Sequence, residues 1–477
     1  MIAIAQRSFT TADQEAFAEL TGDWNPMHMD EAVAKQTQAG ACAVHGMHAA
    51  LWMLEESRSV GMDLLSIARI NVRFARFILV GQSVSVLLAA KDHNSAKIEA
   101  RVDDQTVIAM TLGLGSRADR ADAHRIALSK DALPLPLVPL EPAFDEMDSI
   151  HGELVLPPES DPSVLFPGLC EAFGVGWVGS MGLLSTVVGM VVPGLHSIFS
   201  GLSVALDSEP TRPANVAFRV NESDERFRLV TIAVAGTGLA GEITAFMRFP
   251  PVQAPGIDRV AAMVAPDLFE DRIALIIGGS RGIGANIAKL IAAGGGRVVL
   301  TYVASRGDAE AIEAEVNSHR GQSVCSAARY DALTPGDIPN LGELNRFTHV
   351  YFCATTKIGG NGTKVYSLRA FSEFCNVYVD GFHTLVQALL DSRPAGQPLT
   401  VLYPSSIFVT ERPKRMTEYA MAKAAGEILC ADLAKAHRNL KISMPRLPRI
   451  LTDQTATVPP VPAADALEVM LPLLLAE

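Results

Sequence analysis

At 477 residues the chain is too long for one core, and about two to four domains are expected. Hydrophobic residues make up 49% and charged residues 19%, a globular composition that argues against disorder. The net charge of −12 argues against a nucleic-acid partner, which calls for clustered Lys and Arg, but leaves room for a phosphorylated cofactor held by a few local donors.

Thr10 or Thr11 is placed to cap a helix running through Ala16-Phe17-Ala18-Glu19-Leu20. A loop should follow, because Pro26 fixes its own φ and pushes Asn25 out of the helical region. It carries Asp23 and His28, an acid and a base five residues apart. A second helix is predicted from Gly46 to about Ser57, with Met47, Ala50, Leu51 and Leu54 at helical spacing. Strand-like runs follow at 67–74, 83–90, 97–102 and 106–112, separated by turn residues. The segment thus reads as a short helical layer and then an antiparallel sheet.

Gly22-Asp23-Trp24-Asn25-Pro26-Met27-His28-Met29-Asp30, Val44-His45-Gly46-Met47 and Val72-Arg73-Phe74 resemble the MaoC-like (R)-specific enoyl-CoA hydratases, which are hotdog folds. The resemblance covers nearly all of residues 1–115. It implies that Asp23 and His28 hold a water, or the substrate hydroxyl, between them and divide the proton transfers at carbon and oxygen. Which of the two does which stays open. It also implies that the Gly46 amide, at a helix N-terminus, meets the thioester oxygen as enolate charge develops. His45 and His48 read as structural.

Residues 116–162 read as a linker or surface wrap, with a charged run from Arg117 to Arg125 and then seven prolines. From Phe166 to Val191 the chain is apolar with helical spacing. Strands are expected at 198–206, 214–220, 226–235 and 241–249. This repeats the order of the first segment, so residues 163–250 are expected to form a second, degenerate hotdog packed on the first. It has no Asp-x4-His of its own, and His196 reads as structural or pocket-lining. The apolar stretch Val175–Leu206 is broken by Pro193 and glycines, which suits a buried helix and a strand better than a membrane span.

After the boundary at Pro250-Pro251 and Pro255-Gly256, residues 265–477 alternate apolar runs with helical stretches, as in a doubly wound parallel sheet. The run Ile273–Ile277 leads into Gly278-Gly279-Ser280-Arg281-Gly282-Ile283-Gly284, where glycines let the backbone approach a pyrophosphate at a helix N-terminus. Tyr419 and Lys423 share a helix face, and Lys423 is expected to lower the Tyr419 pKa. Ser406 precedes Tyr419 by thirteen residues.

This set resembles the short-chain dehydrogenase/reductase family, the β-ketoacyl reductases most closely. The resemblance implies a Rossmann domain with Ser406, Tyr419 and Lys423 as catalytic groups. Gly278, Ser280, Arg281, Gly282, Ile283, Gly284, Arg306 and Asp331 would bind the cofactor, with Tyr419 and Lys423. No acidic residue ends the second strand, where Tyr302-Val303-Ala304-Ser305-Arg306 stands instead, so NADP(H) is expected ahead of NAD(H). Three departures from the family pattern alter the support of that site: Phe352-Cys353-Ala354-Thr355 in place of Asn-Asn-Ala-Gly, Tyr378 where a catalytic Asn normally stands, and Pro445-Arg446 in place of Pro-Gly.

The expected architecture is therefore an α+β double hotdog followed by an α/β Rossmann sheet. The expected function is reduction of a 3-oxoacyl thioester to the (R)-3-hydroxyacyl form and its reversible dehydration to the trans-2-enoyl thioester, carried by CoA or an acyl carrier protein. Two alternatives stay open: a hydratase whose Rossmann domain is not catalytic, and a non-catalytic assembly partner. The six scattered cysteines and the lack of a signal-peptide pattern suggest a cytoplasmic protein without a metal site. A homo-oligomer is expected.

Overall fold

The computed structural model describes residues 2–117, 133–207, 213–358 and 365–477. Of the charged run from Arg117 to Arg125, only Arg117 lies within the described residues. The chain divides into two compact units, Met1–Pro250 with Thr457–Val461, and Pro251–Ala456 with Pro462–Glu477.

The first unit opens with β1 (Ile2–Ser8), followed by helices α1 (Thr11–Thr21), α2 (Pro26–Met29), α3 (Glu31–Lys35) and α4 (Gly46–Glu56). Thr10 caps α1 as expected, in a reciprocal capping box with Asp13. Strands β2 (Ile67–Phe74), β3 (Ser83–Lys91), β4 (Ser95–Val102) and β5 (Gln105–Leu114) follow. Next come β6 (His151–Val155), α5 (Pro167–Phe173) and α6 (Val175–Thr186), continued by a π-helical turn over Val187–Val191. The unit's main elements close with β7 (Ser197–Leu206), β8 (Asn215–Asp224), β9 (Leu229–Gly236) and β10 (Leu239–Met247).

All ten strands form one antiparallel sheet in the order β1-β3-β4-β5-β2-β7-β10-β9-β8-β6. The two helix-then-four-strand halves join where β2 pairs with β7, Arg69 opposite Ala205 and Arg73 opposite Gly201. Alternate residues of β2, such as Ile70 and Val72, face a core shared with α4 and α6. Two features within the stretches read from sequence are new. The expected linker contains β6, an edge strand on β8. The expected single helix over Phe166–Val191 breaks at Gly174, which sits at φ 85, a conformation that favours glycine. The two helical arms are bent by 118° and the second is almost entirely buried. Among the described residues no single helix is long and apolar enough to cross a membrane.

The second unit begins with α7 (Ile257–Ala261), β11 (Ile273–Ile277), α8 (Gly282–Ala293), β12 (Arg297–Tyr302), α9 (Arg306–Arg320), β13 (Cys325–Arg329) and β14 (His349–Phe352). It continues with α10 (Leu368–Cys375), a π-helical turn over Asn376–Gly381, α11 (Phe382–Asp391), β15 (Leu399–Leu402) and the short β16 (Ser405–Ser406). It ends with α12 (Phe408–Glu411), α13 (Thr417–Ala436), β17 (Leu440–Ser443), β18 (Arg446–Leu447) and α14 (Ala466–Leu475). Six strands form a parallel sheet in the order β13-β12-β11-β14-β15-β17, with separate cores on its two faces. β11 is buried almost throughout, which explains its unbroken apolar run.

Candidate functional sites

In the first unit the turn after α1 directs Asp23 inward. Asn25 caps α2 by accepting from the Met27 amide (3.1 Å), and its side-chain amide donates to the Gly189 carbonyl (2.8 Å). The stretch expected as a loop thus ends in one short helix that carries His28. The His28 Nδ1–H donates to the Ala43 carbonyl (2.7 Å), which leaves Nε2 as the acceptor. Asp23, His28 and His45 present polar atoms that all lie within 4.8 Å of one another.

Asp23 is buried, and two bonds hold its carboxylate. The Ser185 hydroxyl donates to Oδ2 (2.6 Å), and the Asn25 amide donates to Oδ1 (3.3 Å). Burial pushes the Asp23 carboxyl above its usual range, against the pull of nearby His28 and the Ser185 bond. Gly189 makes room for it, since a Cβ there would stand 2.8 Å from Asp23 Cγ. Gly46 is the first residue of α4, and His45 before it makes no side-chain cap. The Gly46 N–H therefore lies at the helix end where no intrahelical acceptor is available.

Sequence reasoning read His45 as structural and had no means of finding Ser185 or Gly189. His45 is buried and stacks on His28, with ring centroids 3.9 Å apart, and its Nε2 lies 3.0 Å from the Asp23 carbonyl oxygen. His48 does behave as a core residue, stacked on Phe17 at 4.8 Å and pushed down to about 3 by burial. His196 is buried, with Nε2 3.7 Å from Glu141. By distance alone Asp23, His28 and His45 could be a metal-ligand set. Both His45 ring nitrogens, however, are already 3.0 Å from oxygen atoms of Gln14 and Asp23, so ligation would break those contacts.

In the second unit Ser406 lies on β16, paired with β18, while Tyr419 and Lys423 lie one turn apart on α13. The Ser406 side chain hydrogen-bonds Tyr419. The expected lowering of the Tyr419 pKa is corrected here: burial raises it, and only the Ser406 bond opposes. Lys423 Nζ is 6.0 Å from the Tyr419 ring centre but 3.8 Å from that of Tyr378. It also donates to the Pro404 carbonyl (2.7 Å), and burial brings it down to about 7.

The three departures from the family pattern form contacts of their own. Tyr378 is fully buried in the π-helical turn, where its hydroxyl pairs with Thr355 and its carbonyl accepts from the Tyr403 hydroxyl (3.1 Å). Arg446 forks onto Glu427 at 2.8 and 2.7 Å.

The glycine-rich turn has the shape of a phosphate cradle. Gly278 (φ 77) and Gly282 (φ 56) adopt left-handed conformations, and a Cβ on Gly284 would collide with the Gly278 backbone. Arg281 at the N-cap of α8 makes no side-chain cap, so no side chain covers the helix end from that position. These features fit a nucleotide pyrophosphate. Ser280 lies within the turn and Ile283 in the first turn of α8, both partly exposed. Arg281 lies 3.7 Å from Asp453, and exposed Arg306 pairs with Glu310 at 2.7 Å. Asp331 accepts from the Leu333 amide (2.9 Å), holding the turn after β13.

Residues 2–111 match the family model described as MaoC like domain, and residues 272–456 match the one described as short chain dehydrogenase. No curated protein matches the chain. Among solved structures, the chain is similar to an oxidoreductase, yciK, from E. coli, with 22% identity, 44% of this chain and 90% of that one covered, and a TM-score of 0.40. It is also similar to a short chain dehydrogenase from Burkholderia cenocepacia J2315 in complex with NADP, with 24% identity, 43% and 90% coverage and a TM-score of 0.37. A third is FolM alternative dihydrofolate reductase 1 from Brucella canis complexed with NADP, with 16% identity, 44% and 90% coverage and a TM-score of 0.38. The chain carries a MaoC-like, hotdog-type domain at its N-terminus and a short-chain dehydrogenase domain with a parallel Rossmann-like sheet at its C-terminus.

Proposed function

We propose that these two domains act on one class of substrate, an acyl thioester on CoA or an acyl carrier protein. The C-terminal domain, residues 265–477, would reduce a 3-oxoacyl thioester to the (R)-3-hydroxyacyl form with NADP(H). The N-terminal domain, residues 1–115, would dehydrate that product reversibly to the trans-2-enoyl thioester. We read residues 163–250 as a second, degenerate hotdog, supported by the repeated helix-then-four-strands order and the joint sheet. Residues 116–162 connect the two hotdogs.

The observation that carries the dehydratase assignment is the meeting of Asp23 with His28. One carboxylate and one imidazole nitrogen lie within 4.8 Å of each other, close enough to share a water or a hydroxyl. Asp23 and His28 would hold that oxygen and move the proton at Cα. The Gly46 amide would donate to the thioester oxygen as negative charge gathers there. Ser185 keeps the carboxylate aimed.

On the reductase side, Tyr419 would exchange a proton with the substrate oxygen, and Ser406 would orient that oxygen. The cradle from Gly278 to Gly284 would hold the cofactor pyrophosphate, and Asp331 would lie near the adenine. Arg306, with Ser305 and Arg281, would favour a 2′-phosphate over a ribose diol. Bound nicotinamide supplies the hydride.

Two assays on the full chain test the proposal. One follows loss of an enoyl thioester's conjugated absorbance, and the other follows NADPH consumption with a 3-oxoacyl thioester. Absence of the first removes the dehydratase reading. A second reading, a hydratase with a non-catalytic Rossmann domain, is favoured by the engagement of Lys423 with Pro404 and Tyr378. Cofactor binding without 3-oxoacyl reduction would select it.

Gly189→Ala gives a local check of the dehydratase site. The added methyl collides with Asp23, and such overpacking typically costs about 1–3 kcal/mol. A carboxylate displaced by about 1 Å would lower hydration roughly 100-fold. Melting temperature and hydration rate should therefore both fall; hydration at the wild-type rate would show that Asp23 needs no such room.

A further inference from the structure

His45 is the buried titratable group at the first site to which the reaction gives no role. Both of its ring nitrogens face oxygen. Nδ1 lies 3.0 Å from Gln14 Oε1, and Nε2 lies 3.0 Å from the Asp23 main-chain oxygen. The identity of the Gln14 atom is fixed by its neighbours: the His45 main-chain N–H donates to the same oxygen (3.0 Å), and the Gln14 side-chain nitrogen donates to the Thr10 carbonyl (3.4 Å). A main-chain oxygen can only accept. A neutral imidazole has one N–H and one lone pair, so it would press that lone pair against an oxygen.

We propose that His45 is a positioning residue that carries both ring protons and forms a buried ion pair with an ionised Asp23. Its Nε2 lies 4.0 Å from Asp23 Oδ2. Each charge alone is costly in this setting, since burial favours neutral His45 and neutral Asp23. Taken together the pair is neutral, and the two ring N–H groups of His45 each donate to one oxygen. The Ser185 hydroxyl donates to the carboxylate, as an ionised acceptor requires.

The other titratable neighbours are His28, stacked at 3.9 Å, and His48, one turn along α4. Both weigh against a second charge at His45 when protonated. The pair would therefore keep Asp23 charged while His28 stays available to exchange a proton. His45 would act through Asp23 and through the stacking that holds the His28 ring, without touching substrate.

The catalytic consequence rests on the dehydratase reading; the protonation state does not, and it is measured separately. In the full chain labelled with ¹⁵N-histidine, long-range ¹H–¹⁵N spectra at neutral pH should show both His45 nitrogens as protonated. His45→Gln assigns the signals by their loss. In Asp23→Asn, His45 should give up one proton, because its counter-charge is gone. A wild-type His45 with one protonated nitrogen overturns the proposal, as does an unchanged His45 in Asp23→Asn. In the hydration assay, His45→Gln should move the acid limb of kcat/KM to higher pH, a shift that a purely packing role would not produce. An unmoved limb overturns the coupling to Asp23. If hydration is absent but both nitrogens are protonated, the ion pair stands and the dehydratase reading falls.

Discussion

Asp23→Asn is expected to lower hydration of an enoyl thioester by about 10²–10⁴-fold, the usual contribution of a positioned acid or base. The substitution keeps the shape of the side chain. The Ser185 hydroxyl can still donate to an amide oxygen at Oδ2, and Gly189 still leaves the space. What is lost is the ability to hold or release a proton. The fold should survive, so unchanged melting with lost turnover identifies the chemistry. The pH dependence has a definite sign. Burial raises the Asp23 carboxyl, so a step that needs the carboxylate is lost as pH falls through a value above the usual carboxylate range. A protonated His45 would draw this limb back down, so its assignment to Asp23 rests on its movement to higher pH in His45→Gln. Hydration that is unaffected by Asp23→Asn would remove Asp23 from the reaction altogether.

The parts of this site that could be read in the sequence are local ones. Asn25-Pro26 forces a turn, and Asp23 and His28 sit on either side of it, so their meeting follows from a few residues. Gly46 could be placed because a periodic apolar run starts there. Ser185 could not be placed, since it reaches Asp23 from a helix 162 residues further along the chain. The surroundings of His45 were hidden for a related reason. Its sequence position gives helix N-cap geometry, but its stacking on His28 depends on how α2 returns to α4. Edge strand β6 was hidden by the prolines around it, and the break at Gly174 by the apolar residues on both sides. In the second unit the spacing of Tyr419 and Lys423 fixed their helix face. It could not fix their electrostatics, because the surroundings of Lys423 come from Pro404 and Tyr378 on other elements.

That electrostatic difference sets the second large effect. Tyr419→Phe should lower 3-oxoacyl reduction by about 10²–10⁴-fold while NADPH still binds, because the phenol is the proton donor and the cradle at Gly278–Gly284 is untouched. NADPH binding can be followed by its fluorescence. With burial raising the Tyr419 pKa, the phenol keeps its proton across neutral pH and is suited to donate it during reduction. Lys423 is the group that titrates near neutrality, at about 7 in the cofactor-free protein. Its cation is present below that value and lost above it. Since kcat/KM reports the free enzyme, reduction should fall as pH rises through about 7 if the ammonium is needed beside Tyr419. Tyr378 is the nearest ring to that ammonium, so Tyr378→Leu, which removes the cation–π contact, should move this limb to lower pH. A flat profile through neutrality would mean that Lys423 is recharged on cofactor binding or does not assist the phenol. Full reduction by Tyr419→Phe would take the proton transfer away from Tyr419.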